Sequence, residues 1–279
     1  MLIISDIAEL EEALRIHRRE FKHLSLVPTM GNLHEGHLKL VNQASEISDF
    51  VCVSIFVNPL QFGPKEDYSA YPRTLDVDIS KLENTNCSLL FLPESKDLLL
   101  NIRECKADPY LSSILCGKTR TNHFDGVVTI VNRLFELFKP KSTYFGEKDY
   151  QQLLVVNHLS KSLNISTKIV GCPIVRAKDG LAMSSRNILL NTEQRRIAPK
   201  IYEGLKLAKR LANTEKYKKV KREVGDFFKT LSLIKLEYFT ATDPFTLVEF
   251  NSNEKIKSGR GFIAASLGKI RLIDNINMS

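Results

Sequence analysis

The feature that most constrains this chain is an alternation. Over its first two-thirds, short apolar runs of strand length take turns with segments of helical period. Residues 24–28 read as a buried strand, and 35–48 as a helix with Leu38, Val41, Ala44 and Ile47 on one face. Residues 50–57 are almost continuously apolar, as in a parallel strand covered on both faces. A helix at 75–83, a strand at 88–92 and a polar, irregular stretch at 96–122 follow. An apolar helix over 127–138 is stopped by Lys139-Pro140. A strand at 143–145, a helix at 150–163 and a strand at 166–171 complete the series. This order predicts an α/β fold, a Rossmann-like, doubly wound parallel sheet.

After about residue 176 the pattern changes. Two helices rich in Lys and Arg, near 192–213 and 216–230, precede strand segments at 233–241, 246–250, 261–266 and 270–274. Helices in a run followed by strands in a run predict a smaller α+β domain. The expected division is 1–176, a Rossmann-like ligand-binding domain, and 177–279, a C-terminal α+β lid domain.

Composition narrows the class. The chain has 279 residues, 43% apolar and 26% charged, which suits a globular protein. Five cysteines form no C-x-x-C pair and are odd in number, which predicts reduced thiols rather than a disulfide framework or a zinc ribbon. No apolar run reaches membrane-spanning length, and Met1-Leu2-Ile3-Ile4-Ser5-Asp6 lacks the charged-then-apolar order of a secretory signal. A cytoplasmic protein without membrane partners is expected. The net charge of +8 is concentrated in 206–222, where Tyr217 is the one aromatic. That pattern reads as a solvated basic face, not a base-stacking platform, so no nucleic-acid partner is expected.

No G-x-x-x-x-G-K-[ST] loop, G-x-G-x-x-G turn or G-x-S-x-G elbow is present. The chemistry must lie elsewhere. Directly after the strand at 24–28 stands Thr29-Met30-Gly31-Asn32-Leu33-His34-Glu35-Gly36-His37, an H-x-G-H pattern at a strand-to-helix turn. Two imidazoles there can clamp phosphates at a helix N-terminus, or be two ordinary polar residues. A zincin reading fails because only Gly36 separates Glu35 from His37. A second cluster, Gly146, Glu147, Lys148, Asp149, Tyr150, Gln151 and Gln152, also follows a strand and opens a helix, with Gly146 expected to permit a tight turn. Lys148 suits phosphate and Gln152 a hydroxy acid. Met183-Ser184-Ser185-Arg186 offers two hydroxyls and a guanidinium. Asn58 and Gln61 lie at the end of the 50–57 strand, where amides can orient a small polar acid. Asp76 and Asp78 are magnesium-type ligands or first-turn helix acids.

These segments, with Tyr71-Pro72-Arg73-Thr74, the stretch from Arg176 to Asn187 and the tail from Leu267 to Ile276, resemble the pantothenate synthetase (pantoate–β-alanine ligase) family of H-x-G-H nucleotidylyltransferases. The resemblance runs from the first strand to the C-terminus. It implies ATP-dependent condensation of pantoate with β-alanine through a pantoyl adenylate, releasing pyrophosphate and then AMP, by a homodimer. It implies that Met30, Gly31, Asn32, Leu33, His34, Glu35, Gly36 and His37 hold ATP, together with Gly146, Glu147, Lys148, Asp149, Val175, Met183, Ser184, Ser185 and Arg186. His34, His37 and Lys148 would act on the phosphates, Gln61 and Gln152 would grip pantoate, and Gln61 would also lie near β-alanine. Asp78 would bind Mg2+.

Two departures stand out. Many relatives carry paired acids where this chain has Val77-Asp78, so one expected magnesium ligand is missing. The R-P-T-H-F-x-G-V segment reads Arg120-Thr121-Asn122-His123-Phe124-Asp125-Gly126-Val127, with Asp125 introducing an acid beside an expected anionic site.

Overall fold

The computed structural model describes residues 1–20, 23–64 and 66–279. Its contacts divide the chain into two compact units: Met1–Glu147 with Gln151–Pro173, and Lys148–Tyr150 with Ile174–Ser279.

The first unit is built on the expected parallel sheet. In chain order it contains β1 (Leu2–Ile4), α1 (Ile7–Glu20), β2 (Leu24–Thr29), α2 (Glu35–Ser45), β3 (Phe50–Ile55), α3 (Leu75–Glu83), β4 (Leu89–Phe91), α4 (Ser95–Leu98), α5 (Leu115–Thr119), α6 (His123–Phe138), β5 (Ser142–Gly146), α7 (Tyr150–Ser162, all but its first residue) and β6 (Lys168–Cys172). The strand order is β1-β4-β3-β2-β5-β6, and every pairing is parallel. The chain moves outward from β2 to β3 and β4, then returns to place β5 on the other side of β2. The order therefore reverses between β2 and β5. Ligands of open α/β sheets bind outside the carboxyl ends of strands at such a reversal. The segments after β2 and β5 are Met30–His37 and Glu147 onward.

Packing follows from alternation. Val51 and Val53 of β3 join Val27, Leu33, Leu40, Val41, Ala44 and Leu82 in one apolar cluster that seats α2 and α3. α6 is buried along most of its length, including Val128, Leu134 and Phe138, consistent with its apolar sequence.

The second unit contains α8 (Thr192–Ile197), α9 (Lys200–Ala212), α10 (Tyr217–Lys229) and an antiparallel sheet of β7 (Lys235–Thr242), β8 (Arg260–Leu267) and β9 (Ile270–Asn277), in the order β7-β8-β9. Ile201, Leu205 and Ala208 of α9 and Val220, Val224 and Phe228 of α10 share a core with Ile263, Ala265 and Leu272. Tyr217 is buried; its hydroxyl donates to Glu249 at 2.6 Å and accepts the N–H of Ala241 at 3.1 Å.

Several elements differ from expectation. β1 and α1 precede the series and add an edge strand against β4. The helix near 192–213 is broken at Pro199, which has no N–H to continue the ladder. Residues 246–250 form no strand, only one bridge between Thr242 and Glu249. There Asp243 accepts the N–H groups of Phe245 and Thr246, and the resulting turn claims the backbone first. α6 begins at His123, four residues before its apolar run. Among the described residues no helix is long and apolar enough to cross a membrane.

Candidate functional site

The turn after β2 is held from α3. Gly31 (φ +80°) and Asn32 (φ +47°) both take left-handed backbone. A Cβ at Gly31 would also approach Ile55 to 3.0 Å and Asp78 to 3.2 Å. This tight path turns the N–H groups of Asn32 and Leu33 onto Asp78, whose Oδ2 and Oδ1 accept them at 2.8 and 2.7 Å. The Lys81 ammonium, one turn along α3, donates to the Leu33 carbonyl at 2.5 Å. Asp78 is 1% exposed. Its carboxylate fills the small anion nest made by the turn. The expected magnesium role does not fit this donor set, because each oxygen already accepts a backbone N–H and water cannot reach the group. Val77 faces outward at 52% exposure.

His34 is the N-cap of α2. Its Nδ1 accepts the N–H of Gly36 at 3.1 Å, and the Nδ1 of His37 accepts the N–H of His34 at 3.3 Å. This is a capping box in which imidazoles do the work usually given to Ser and Glu. The two rings stack with centroids 4.0 Å apart. An Nδ1 that accepts carries no proton, so the neutral ring bears its hydrogen on Nε2. The cap thus favours, in both rings, the tautomer with its hydrogen on Nε2.

Gln61 ends a 3₁₀ turn, Pro59–Gln61, that sits on the first turn of α6. A Cβ on Gly126 would lie 2.2 Å from the Leu60 carbonyl oxygen, so only glycine permits this approach. Asn58 is buried and spent internally: Nδ2 donates to Gln61 Oε1 and to the Gly126 carbonyl, both at 3.0 Å, and Oδ1 accepts the Leu60 N–H. It positions Gln61 and does not face a ligand as the sequence implied. The Gln61 carbonyl accepts from His123 Nδ1 at 2.7 Å. His123 Nε2 accepts from Arg120, and Arg120 makes a two-point ion pair with Glu66. Burial pushes the Glu66 carboxyl up, but the Arg120 guanidinium outweighs it and holds the group below its ordinary value. Gln61 Nε2 lies 3.2 Å from Met30 Sδ, so the segments expected to hold nucleotide and acid meet here.

Of the neighbouring glutamines on α7, Gln151 is buried and its side chain is bonded to Leu111, Ile114 and Cys116, whereas Gln152 is half-buried and its side chain makes no hydrogen bond among the described residues. A Cβ on Gly146 would meet nothing within 4 Å, so the tight turn expected to need this glycine does not need it. Asp125 accepts from Lys106 and from the Ala107 N–H, a local role that neutralises the acid noted in the sequence.

In the second unit, Val175 and Met183 are joined through a backbone hydrogen bond at 2.9 Å, beside a bridge between Arg176 and Ala182. Ser184 caps the short 3₁₀ turn Ser185–Leu189 by accepting the N–H of Arg186. Lys148 and Asp149 lie in this unit with their ammonium and carboxylate 3.5 Å apart. The unit begins three residues before the expected boundary and takes in Lys148–Tyr150, because Asn275 bonds the Lys148 carbonyl and Arg260 stacks on Tyr150 at 3.7 Å. The sequence pattern assigned no role to Lys81, Glu66 or Asn275. Each acts through a backbone carbonyl or another side chain, a relation that motif spacing does not reveal.

Known proteins are similar to this chain along its whole length. The family model for pantoate–β-alanine ligase matches residues 2–277. The pantothenate synthetase of Pseudothermotoga lettingae is 43% identical over 286 residues, covering 99% of this chain and 98% of the relative. A crystal structure of pantothenate synthetase from Thermus thermophilus superposes with a TM-score of 0.93 at 38% identity, covering 100% of this chain and 99% of that one. The pantoate–β-alanine ligase of Francisella tularensis, crystallised with β-γ ATP and β-alanine, gives a TM-score of 0.81 at 34% identity and covers 100% and 98%.

Proposed function

Because the chain belongs to the pantoate–β-alanine ligase family, we propose that its H-x-G-H turn and Gln61 carry out the two halves of one ligation by way of an acyl adenylate. The overall reaction is the ATP-dependent joining of pantoate and β-alanine. In the first half, a pantoate carboxylate oxygen attacks the α-phosphorus of ATP. The bond to the bridging oxygen breaks and pyrophosphate leaves. In the second, the β-alanine amine attacks the acyl carbon, AMP departs with the acyl–oxygen bond pair, and the nitrogen loses a proton.

The carrying observation is that Met30, at the head of the phosphate turn, touches the Gln61 amide at 3.2 Å. His34 and His37 are assigned to present Nε2–H groups to the phosphates. His37 is assigned to stabilise charge on the phosphates. Positioned donors of this kind are worth about 10²–10³ in rate each. Gly31, Asn32, Leu33, Glu35 and Gly36 shape this turn, and Gly146 and Glu147 line the nucleotide. Lys148 is assigned to phosphate, with Asp149, Val175 and Met183–Arg186 completing the nucleotide contacts. Gln61 and Gln152 are assigned to pantoate, and Gln61 also to β-alanine. Magnesium enters as part of the nucleotide substrate. A cytoplasmic homodimer completes the reading, supported by the unpaired cysteines and the family, and light scattering checks the dimer.

The test is to withhold β-alanine. With ATP and pantoate alone, mass spectrometry should find pantoyl adenylate and an equal amount of pyrophosphate, and added β-alanine should convert the adenylate to pantothenate and AMP. His37→Ala should slow the first half about 10²–10³-fold. Appearance of ADP, or no adenylate before the amine is added, would rule the scheme out.

A further inference from the structure

Two neighbouring residues near the end of β9, Asp274 and Asn275, are 4% and 1% exposed, yet both are polar. Buried polar groups at this depth are expected to be fully hydrogen-bonded, and the partners say what they serve. Successive residues of a strand face opposite sides of its sheet. Asp274 pairs in register with Ile263, on the face packed against α9 and α10; Asn275 pairs with Phe262, on the other.

On the helix-packed face, the Asp274 carboxylate accepts both terminal nitrogens of Arg176, at 2.6 and 2.9 Å. Arg176 also donates to the Gly180 and Asn275 carbonyls and lies over the Tyr202 ring at 3.7 Å. It is the residue after Val175 and bridges Ala182, next to Met183. Asp274 therefore fixes the root of the Val175–Arg186 segment. On the other face, Asn275 Nδ2 donates to the Lys148 carbonyl at 2.9 Å, and its Oδ1 accepts from Arg260 at 2.6 Å. Arg260 in turn stacks on Tyr150. Asn275 thus fixes the Lys148–Tyr150 turn. The N–H of Asn275 donates to Asp274 Oδ1 at 2.8 Å, which ties the two grips together.

We propose that Asp274 and Asn275 are positioning residues for nucleotide binding, holding the Lys148 turn and the Val175–Arg186 segment to one strand of the second unit. This rests on the assignment of those two segments to ATP. Both act through the segments they hold, and neither is assigned a contact to the nucleotide. A backbone already fixed at Lys148 aims its ammonium and spares binding the cost of ordering the turn.

The test uses Asn275→Asp in the full chain. It retains the acceptor for Arg260 and replaces the donor facing the Lys148 carbonyl with an acceptor. MgATP affinity is measured by calorimetry for the wild type, Asn275→Asp, Lys148→Ala and the double variant, with pantoate affinity as a second readout. Asn275→Asp should weaken ATP binding about tenfold and leave pantoate binding within about twofold. The double variant should bind ATP no more weakly than Lys148→Ala, because a residue acting through Lys148 has nothing to add once that ammonium is gone. Unchanged ATP affinity in Asn275→Asp, losses that multiply in the double variant, or parallel loss of pantoate binding would overturn the proposal. Equal affinity of wild type and Lys148→Ala would instead remove the assignment of Lys148, and the proposal with it. If Asn275→Asp proves unstable, Arg176→Lys reads the other grip: it keeps the charge, loses the two-point geometry, and should weaken ATP several-fold but not pantoate.

Discussion

At the scale of single residues, the most instructive is Asp78, because one side chain can be read two ways. A carboxylate shortly after the Tyr-Pro-Arg-Thr turn invites a metal. Its surroundings make it the fastener of the H-x-G-H turn, accepting from Asn32 and Leu33 while Lys81 holds Leu33 from the carbonyl side. Asp78→Asn separates the readings. The amide offers one acceptor and turns an NH2 toward a second N–H, leaving a buried donor unmatched at about 1–3 kcal/mol. A chain of this size should lose about 2–4 °C of Tm per kcal/mol. The variant should melt several degrees lower and raise the KM for ATP about tenfold, while the magnesium concentration for half-maximal activity at saturating ATP stays put. A shift in magnesium dependence with stability intact would return Asp78 to the metal. Motif spacing marked this residue as important but could not give its partners, since backbone N–H groups leave no trace in a sequence.

At the scale of elements, α6 carries the turn that presents Gln61, the residue assigned to pantoate. The apolar stretch from Val127 to Phe138 was legible, because thirteen of the sixteen residues of this helix are buried and the pattern shows it. Its first turn was not. His123, Asp125 and Gly126 are indifferent helix formers, and only tertiary contacts to Gln61, Ala107 and Leu60 explain their presence. Gly126→Ala makes this testable. In an ordinary helix the change gains up to about 1 kcal/mol. Here the new methyl would sit 2.2 Å from the Leu60 carbonyl oxygen and 2.6 Å from the Gln61 nitrogen, both backbone atoms. The Pro59–Gln61 turn must move. Thermal melting should show destabilisation instead of gain, and steady-state kinetics should show the KM for pantoate rising more than that for ATP. A stabilised variant with unaltered pantoate kinetics would contradict the platform role. The same logic explains the strand expected at 246–250: local propensity favoured it, and the Asp243 turn took its backbone.

At the scale of the whole molecule, the alternation of strands and helices predicted the parallel sheet and the small α+β unit, and the strand order then placed the two glycine-bearing clusters on either side of the reversal between β2 and β5. What alternation cannot specify is which unit claims a short connecting turn, and Lys148–Tyr150 is grouped with the C-terminal unit by Asn275 and Arg260, side chains far along the sequence. The cysteines offer a measurement at this scale. All five are buried free thiols, and all five belong to the first unit. Burial pushes the thiols of Cys87 and Cys172 up to about 12 and about 11 and that of Cys52 well above its ordinary value, so thiolate, the reactive form, is scarce at neutral pH. Native protein should therefore react with a disulfide reagent far below one equivalent over minutes, and all of its cysteines should titrate after denaturation. Because no thiol lies among the residues of the second unit, the urea dependence of this reaction should follow opening of the parallel sheet alone. A separate, earlier loss of the Tyr217 environment, seen in near-ultraviolet circular dichroism, would show the α+β unit unfolding first. Rapid reaction of a single thiol in the native protein would mean that the sheet opens locally without unfolding, and would point to the elements around that cysteine as the least stable part of the unit.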